Sequence, residues 1–330
     1  VEYAKLKMEN GYTPLYLGLI DEMNNVHAAT LILEKKINNK HKYGYVPNGY
    51  LINFYQIDLL RVFTIELKAY LKKLNYVYIR VNPLINYQVY DSDFILKENN
   101  SGIIQEIKKL DYDFIPNTSR YKMVLKANDI HSTYKNFKRS LRRNINDCLK
   151  KGIVVYQGSE KDREDFLNLM ENKGRYQRMM ELFRTKDNYF EFYLAKIMPE
   201  VYINNYRYLI KREQLNNDRL NQKLKNPKVR KTKNLLEKKM TSDHLLTEYN
   251  NELIAGTAVL KKYPKGVVIS GVAIIKNDRE VSFVKECYTN EFKHIRSVPM
   301  IKWEIMKKLI TEGYHRFDLG DIVIAKNQIT

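Results

Sequence analysis

One predicted helix concentrates basic side chains at a spacing that would suit phosphate binding. The segment Tyr134 to Lys151 contains seven Lys or Arg residues and only one acidic residue, Asp147. Spacings of three and four residues place most of these cations on one helix face. A solvated face would normally interleave Glu with Lys, whereas an unbroken set of cations suits phosphate neutralisation with counterion release. The phosphate-binding candidates are Lys138, Arg139, Arg142 and Arg143.

A second candidate combines Arg184 with Tyr189 in the segment LFRTKDNYF. An arginine in this setting can hold a carboxylate or a phosphate through two parallel hydrogen bonds. An ordinary surface arginine before a helix would show the same spacing, so the pattern leaves both interpretations open.

Other kinds of chemistry lack their motifs. The six histidines show no metal-ligand spacing, and the sequence contains no GxSxG, P-loop or GxGxxG pattern. Cys148 and Cys287 are far apart and lie outside any CxxC motif, so the spacing argues against a disulfide and against a zinc site. Free thiols of this kind are typical of the reducing cytosol. We therefore expect neither a metal nor a cofactor, and we expect any chemistry to depend on the positioning of substrates.

The elements that must position these residues alternate between strands and helices. In the first part of the chain the pattern predicts strands at 12–21, 26–34, 43–50, 76–81 and 121–126, and helices at 57–74 and 103–110. This order is typical of an α+β or α/β unit.

The second part predicts a similar order of elements. Helices are expected at 130–151, 162–172, 188–198 and 299–312, and strands at 153–156, 201–211, 253–260, 266–275, 281–288 and 317–320. Gly152 should end the first of these helices. The similar order in both parts hints at an internal duplication.

Positive charge is also concentrated between the strands predicted at 201–211 and 253–260. The net charge is +19 over 330 residues, and residues 211–240 alone carry eleven Lys or Arg against three acidic residues. Sparse leucines on either side of Asn226-Pro227 favour a helical hairpin that protrudes, although a solvated and partly disordered insertion is the alternative. A surplus of this size indicates a polyanionic partner, either nucleic acid or an anionic membrane.

Length and pattern together predict two domains and an inserted arm. The expected boundaries are 1–129 for domain 1, 130–210 with 248–330 for domain 2, and 211–247 for the arm. No apolar run approaches the roughly 18 residues that a membrane-spanning helix requires.

Six segments, in order along nearly the whole chain, resemble the FemABX aminoacyltransferases, which build the interpeptide bridges of peptidoglycan. Each likeness is loose, but their order and spacing together are specific. The segments are YAKLKMENGYTPLYLGLID, YGYVPNGYLINF, VYIRVNP, FKRSLRRNINDCLKKGIVV, FLNLMENKGRYQRMMELFRTKDNYFEFY and TNEFKHIRSVPMIKWEIMKKLITEGYHRFDLGDI.

The resemblance implies an α/β (α+β) fold of two tandem acetyltransferase-like (GNAT) domains with an inserted antiparallel coiled-coil arm. It implies transfer of Gly, Ala or Ser from aminoacyl-tRNA to an amine on a peptidoglycan precursor, such as lipid II or UDP-MurNAc-pentapeptide. Such an enzyme would be cytoplasmic, with peripheral contact to the inner membrane surface. Because an aminoacyl ester is already activated, this reaction needs a positioned amine and no covalent nucleophile.

The resemblance also assigns roles to individual residues. Lys7, with Lys5 as the second choice, would hold the precursor together with Arg184 and Tyr189. The basic helix that carries Arg139 would contact the tRNA.

Three positions depart from the family pattern. Asn48 replaces an Arg, Asn82 replaces an Asp, and Asp321 replaces a Gly. The departures at Asn48 and Asn82 motivate the alternative of a non-catalytic RNA-binding or membrane-surface-binding protein of the same fold. A third alternative, an acyl-CoA-dependent GNAT enzyme, is disfavoured because the Arg/Gln-x-x-Gly-x-Gly/Ala loop is missing.

Overall fold

The computed structural model describes residues 2–91, 93–113, 121–170, 174, 190–226, 233–277 and 280–322. The chain divides into two compact units, Val1–Ser119 and Arg120–Thr330, each with its own sheet. The predicted mixed α/β class is therefore confirmed.

The first unit is built on a four-stranded sheet in the order β1-β2-β3-β4. Strands β1 to β3 are antiparallel, and β4 runs parallel to β3 because helix α2 crosses over between them. The elements are α1 Glu2–Met8, β1 Thr13–Ile20, β2 Val26–Lys36, β3 Lys42–Val46, α2 Ile57–Lys73, β4 Tyr76–Val81, β5 Gln88–Tyr90, β6 Leu96–Asn99 and α3 Ser101–Lys109.

Helix α2 covers one face of this sheet. Its buried side chains recur at helical spacing, and Leu60 and Phe63 belong to the same core as Ile32 and Val46 of the strands. The alternate strand residues point to the other face, so the core of this unit lies on the α2 side of the sheet.

The second unit has a six-stranded sheet in the order β7-β12-β11-β10-β9-β8. Its elements are β7 Tyr121–Lys126, α4 Ile130–Asn136, α5 Arg139–Lys150, β8 Ile153–Gln157, α6 Arg163–Asn168, β9 Phe190–Ile197, α7 Pro199–Lys225, α8 Lys233–Lys262, β10 Val267–Lys276, β11 Val281–Tyr288, α9 Val298–Thr311 and β12 Arg316–Ile322.

Strand β7 lies in this second sheet. It pairs with β12, with Lys126 opposite Arg316 and Val124 opposite Asp318. The sequence pattern predicts this strand as part of domain 1. Pairing with a strand at the other end of the chain leaves no local signal, so the sequence pattern could not show this.

The segment predicted as a helix at 188–198 is strand β9 over its described part, Phe190–Ile197. Both faces of β9 are buried, with Leu194 in one apolar cluster and Ala195 in another. A strand buried on both faces is a continuous apolar run, which periodicity cannot distinguish from a buried helix.

Helices α7 and α8 replace two predicted strands, 201–211 and 253–260. Both segments are short apolar runs, and here they form the parts of the two long helices that enter the core. Tyr206 lies in the core and packs edge-on against Tyr249, with ring centroids 5.9 Å apart. Farther along, Asn217 contacts Ser242, so the two helices run antiparallel.

The predicted helix 130–151 is two helices. Phe137 and Lys138 have extended ψ angles of 141° and 144°, which break the chain between α4 and α5. The Phe137 ring packs edge-on against Trp303 of α9, with centroids 5.2 Å apart, and this inward contact explains the break. The predicted stop at Gly152 is confirmed. Its φ is 65°, and a Cβ there would lie 2.6 Å from the backbone nitrogen of Tyr202.

Candidate functional site

Helix α5 presents its cations opposite its buried face. Ile145 and Cys148 are buried, whereas Arg139 and Arg143, one turn apart, are exposed on the opposite side. Arg142 is half-buried on the flank. Lys138 is exposed at the N-cap, so it precedes the helix and is not on the predicted face.

The charges at the start of α5 are not neutralised within the described part of the chain. No described carboxylate lies within ion-pair distance of Lys138, Arg139, Arg142 or Arg143. At the other end of the helix, Lys150 pairs with Asp147 at 3.3 Å. Of these cations, Lys138 and Arg139 lie at the N-terminus of α5, where a positive charge opposes the helix dipole at a cost of about 0.3–1 kcal/mol. An arrangement that lowers stability in this way is expected where an anionic ligand binds.

The loop before α9 lies against α5 and adds further cations. The Asn144 amide donates to the Ile295 carbonyl at 3.4 Å, and the Cys148 thiol lies 3.7 Å from the same oxygen. The next residue, Arg296, is exposed and has a left-handed backbone with φ 54°. A non-glycine residue in this region is uncommon. Sequence reasoning missed Arg296, because nothing local marks the backbone angle.

A buried carboxylate lies at the beginning of β9. Glu191 accepts a hydrogen bond from Tyr193 Oη at 2.6 Å, pairs with Lys276, and lies 3.8 Å from Lys308 Nζ. Burial and the bond to Glu191 raise the pKa of Tyr193 above its ordinary value. Lys308 also donates to Gln157 at 2.7 Å. Because the Glu191 carboxylate already interacts with Tyr193, Lys276 and Lys308, we assign it a structural role and not that of a general base.

The predicted precursor-binding residues Arg184 and Tyr189 lie outside the described residues. The remaining one, Lys7, lies in α1 of the first unit and is half-buried. Its Nζ lies 5.4 Å from the ring centroid of Tyr3 and 6.0 Å from that of Tyr12. Lys5 is exposed. The aromatic contacts hold the Lys7 side chain in place.

A depression of about 240 Å³ lies beyond the carboxyl ends of β3 and β4. Parallel strands end at the same edge of a sheet, so the loops that follow them meet there. Its lining residues are Ile52, Asn53, Phe54, Tyr55, Leu84, Ile85 and Asn86.

Two of the departures from the family pattern lie in these loops. Asn48 has φ 59°, a left-handed backbone that Asn tolerates better than Arg. Gly49 follows with φ 72°, and a Cβ on it would lie 2.6 Å from Pro83 Cα. Asn82 donates its backbone N–H to the Val46 carbonyl at 3.1 Å, a bond that Asp would make equally well. Both residues therefore fit the backbone that these loops adopt.

Neither thiol is arranged as a nucleophile. Cys148 and Cys287 are both buried, and burial raises the pKa of each thiol to about 12. Each thiol is therefore protonated near neutral pH and shielded from substrate. Among the described residues, no group of His, Cys, Asp and Glu side chains is arranged to hold a metal ion.

The helices of the described ranges lack the combination of length and apolar character that a membrane-spanning segment needs. This holds for α7 and α8 as well, which are long but polar.

Comparisons with known proteins agree with the motif resemblance. The FemAB family model matches residues 1–323. The chain is 26% identical to the aminoacyltransferase FemA of Staphylococcus epidermidis, over 96% of this chain and 81% of that protein. It is 24% identical to the FemA of Staphylococcus aureus strain bovine RF122 / ET3-1, over 96% and 80% of the two chains.

A solved structure shows the same fold. The crystal structure of FemX superposes with a TM-score of 0.69, covering 100% of this chain and 85% of FemX at 15% sequence identity. Because the family model spans nearly the whole sequence, the chain belongs to the FemAB family.

Proposed function

We propose that this chain is a tRNA-dependent aminoacyltransferase that adds Gly, Ala or Ser to the stem or bridge peptide of a peptidoglycan precursor. The observation that carries the proposal is family membership over residues 1–323, with relatives named aminoacyltransferase FemA. The acceptor is lipid II or UDP-MurNAc-pentapeptide. The enzyme works in the cytoplasm, at the inner surface of the membrane where a lipid-linked acceptor is found.

The chemistry of the chain supports direct transfer. An aminoacyl ester needs only an attacking amine held close to the carbonyl carbon, and correct placement alone contributes several kcal/mol, up to about 7–11 kcal/mol in favourable cases. Both cysteines are buried with pKa values raised to about 12, so a thioester intermediate on the enzyme is disfavoured. The amine of the acceptor attacks the ester carbon, and the 3′-terminal ribose oxygen of the tRNA leaves.

The unneutralised cations of α5 support the choice of a polyanionic donor. In this proposal Arg139 and Arg143 contact tRNA phosphates, and Lys138 and Arg142 flank them. In this proposal the coiled-coil arm predicted at 211–247 corresponds to the described parts of helices α7 and α8, and the exposed Lys and Arg of those parts contact tRNA or anionic lipid.

Lys7 is proposed to hold a phosphate of the acceptor, and Arg184 and Tyr189, which lie outside the described residues, remain the other candidates for binding the acceptor. A Lys7→Gln variant should raise the KM for UDP-MurNAc-pentapeptide and leave tRNA affinity unchanged. Lys5→Gln is the matched control, because Lys5 lies two residues away and is exposed. Equal effects of the two substitutions would contradict the assignment to Lys7.

The decisive assay incubates the full chain with glycyl-, alanyl- or seryl-tRNA and either UDP-MurNAc-pentapeptide or a lipid II analogue. Mass spectrometry of the acceptor should show addition of one amino acid with at least one of the three donors. Ribonuclease treatment of the donor should abolish it. Addition of an acetyl group from acetyl-CoA would support the acyl-CoA alternative, and no mass change with any donor would refute the proposal.

A further inference from the structure

One face of the four-stranded sheet in the first unit is aromatic and is not covered by α2. The strand register places Tyr43 opposite Lys35 and Tyr78, and Tyr45 opposite Arg80. Their neighbours in sequence, such as Val46, point to the α2 core. Leu33 also lies on this face and is fully buried, and Tyr43 and Tyr45 are half-buried. Tyr78 is 54% exposed, so the β4 end of this face, called the open face below, is available to a ligand.

The tyrosines on the open face are already ordered. The Tyr43 and Tyr78 rings stack with their centroids 5.3 Å apart and their planes 14° from parallel. The Tyr12 side chain lies near that of Tyr43. Lys35 Nζ lies 5.4 Å from the Tyr12 ring centroid. The rings therefore form a preorganised stack, in which Tyr78 is exposed at one end and a cation lies beside the other.

The cations on the two faces of the sheet differ in their partners. On the α2 face, Lys42 pairs with Glu34 at 2.8 Å. On the open face, Lys35 and Arg80 are exposed, and no carboxylate among the described residues lies within ion-pair distance of either. Because these two cations have no described carboxylate partner and lie beside stacked aromatic rings, they suit a ligand that carries both phosphates and aromatic bases.

We propose that this open face binds the unpaired 3′ end of tRNA, with a base stacked on Tyr78 and the backbone phosphates beside Lys35 and Arg80. Exposed aromatic rings combined with cations are the usual means of holding single-stranded nucleic acid without reading its sequence. In a duplex stem the bases are stacked on one another, so no base is free to stack on Tyr78. The inference rests on the proposed use of aminoacyl-tRNA as donor, and it assigns the single-stranded part of that donor to the first unit.

The test measures binding of the full chain to a fluorescent single-stranded RNA that ends in CCA and carries no amino acid. Tyr78→Ala should weaken binding about tenfold, since stacking on one aromatic ring is worth roughly 1–3 kcal/mol per base. Tyr78→Phe, which keeps the ring, should retain the affinity. The control is Tyr70→Ala, because Tyr70 is 46% exposed on α2 and lies on the covered side of the sheet.

A salt titration tests the cations separately. Lys35→Gln should reduce the slope of log affinity against log salt by about 0.7, the value expected for one phosphate contact on a single strand. Circular dichroism must show the same folded content for every variant.

Three outcomes would overturn the inference: equal binding by Tyr78→Ala and the unmodified chain, equal binding of a blunt RNA duplex, or displacement of the RNA by UDP with the same dependence on Tyr78. The last result would show a mononucleotide site. Because the RNA carries no amino acid, this test does not depend on transfer. A chain that fails the transfer assay but binds RNA through Tyr78 would refute the proposed function alone.

Discussion

Asn217 of α7 donates a hydrogen bond to the Ser242 hydroxyl of α8 at 3.1 Å, in the contact between the two long helices. The same amide donates to Asp243 Oδ1 at 2.8 Å, and Ser242 donates to Glu213 at 2.5 Å. Asn217 is 7% and Ser242 is 1% exposed. Buried polar side chains that satisfy one another only in one alignment fix the register of two helices.

We expect Asn217→Ala to lower the free energy of unfolding by about 1–3 kcal/mol, because it removes three hydrogen bonds, to Ser242, Asp243 and Asn221, from a buried position. Urea denaturation followed by far-ultraviolet circular dichroism measures the change. Asn250→Ala is the control, since Asn250 is exposed and, within the described ranges, its amide bonds to no group but the Leu246 carbonyl of its own helix. Equal losses in the two variants would show that the polar layer contributes no specific stability.

The ion pair between Lys151 and Glu252 gives the second unit a predicted acid sensitivity. It joins the residue that ends α5 to α8, and Tyr202 also donates to Glu252. Burial by itself would raise the pKa of Glu252, but the hydrogen bonds from Lys151 and Tyr202 and the nearby positive charge outweigh it, so the pKa is lowered.

A carboxyl group with a lowered folded-state pKa stabilises the fold above its unfolded pKa, near 4.5, and loses that contribution as the pH falls through the folded value. Glu252→Gln should therefore cost about 2 kcal/mol at pH 7, because Lys151 loses its charged partner. The cost should shrink toward acid pH. Urea denaturation at neutral pH and near pH 3 tests this. A cost that is independent of pH would mean that the carboxylate charge is unimportant.

Local patterns predicted those elements whose boundaries and periodicity are written in neighbouring residues. Helix α2 and the stop at Gly152 are examples, since apolar spacing and a glycine in a left-handed conformation are local signals. Strand β9 was predicted as a helix because a strand buried on both faces has no alternation. The place of β7 depends on pairing with β12, which no local pattern encodes.

The candidate site likewise contains residues that local patterns predict and residues that they do not. Spacing identified Arg139 and Arg143 on the exposed side of α5, but the break at Phe137 removed Lys138 from the helix. Arg296 could not be singled out from the sequence, because neither its left-handed backbone nor the contact of its loop with α5 leaves a local pattern.

Neutralising the exposed arginines of α5 should weaken tRNA binding while raising stability. Arg139→Gln with Arg143→Gln removes two cations, of which Arg139 lies in the first turn of α5 and opposes the helix dipole, so we expect a gain in stability of about 0.3–1 kcal/mol from that residue. The slope of log affinity for tRNA against log salt should fall by roughly 0.7–0.9 per lost phosphate contact. Filter binding over a range of salt and thermal unfolding measure the two effects.

Lys161→Gln provides the control for this pair, since Lys161 is an exposed cation of the same unit outside α5. It should change neither the salt slope nor the stability. Arginines that merely solvate the helix would give the gain in stability with an unchanged slope, and that result would contradict a phosphate-binding role.

The two thiols should be unreactive in the folded protein. Cys148 and Cys287 are buried with pKa values raised to about 12, so at pH 8 nearly all of each population is protonated and inaccessible. We expect a disulfide reagent such as DTNB to label neither residue in the native state and both in guanidinium. Cys148→Ala with Cys287→Ala should retain aminoacyl transfer with reduced thermal stability, because each substitution leaves space in the core. Rapid native labelling that abolishes transfer would instead place a thiol in the reaction and refute direct attack by the acceptor amine.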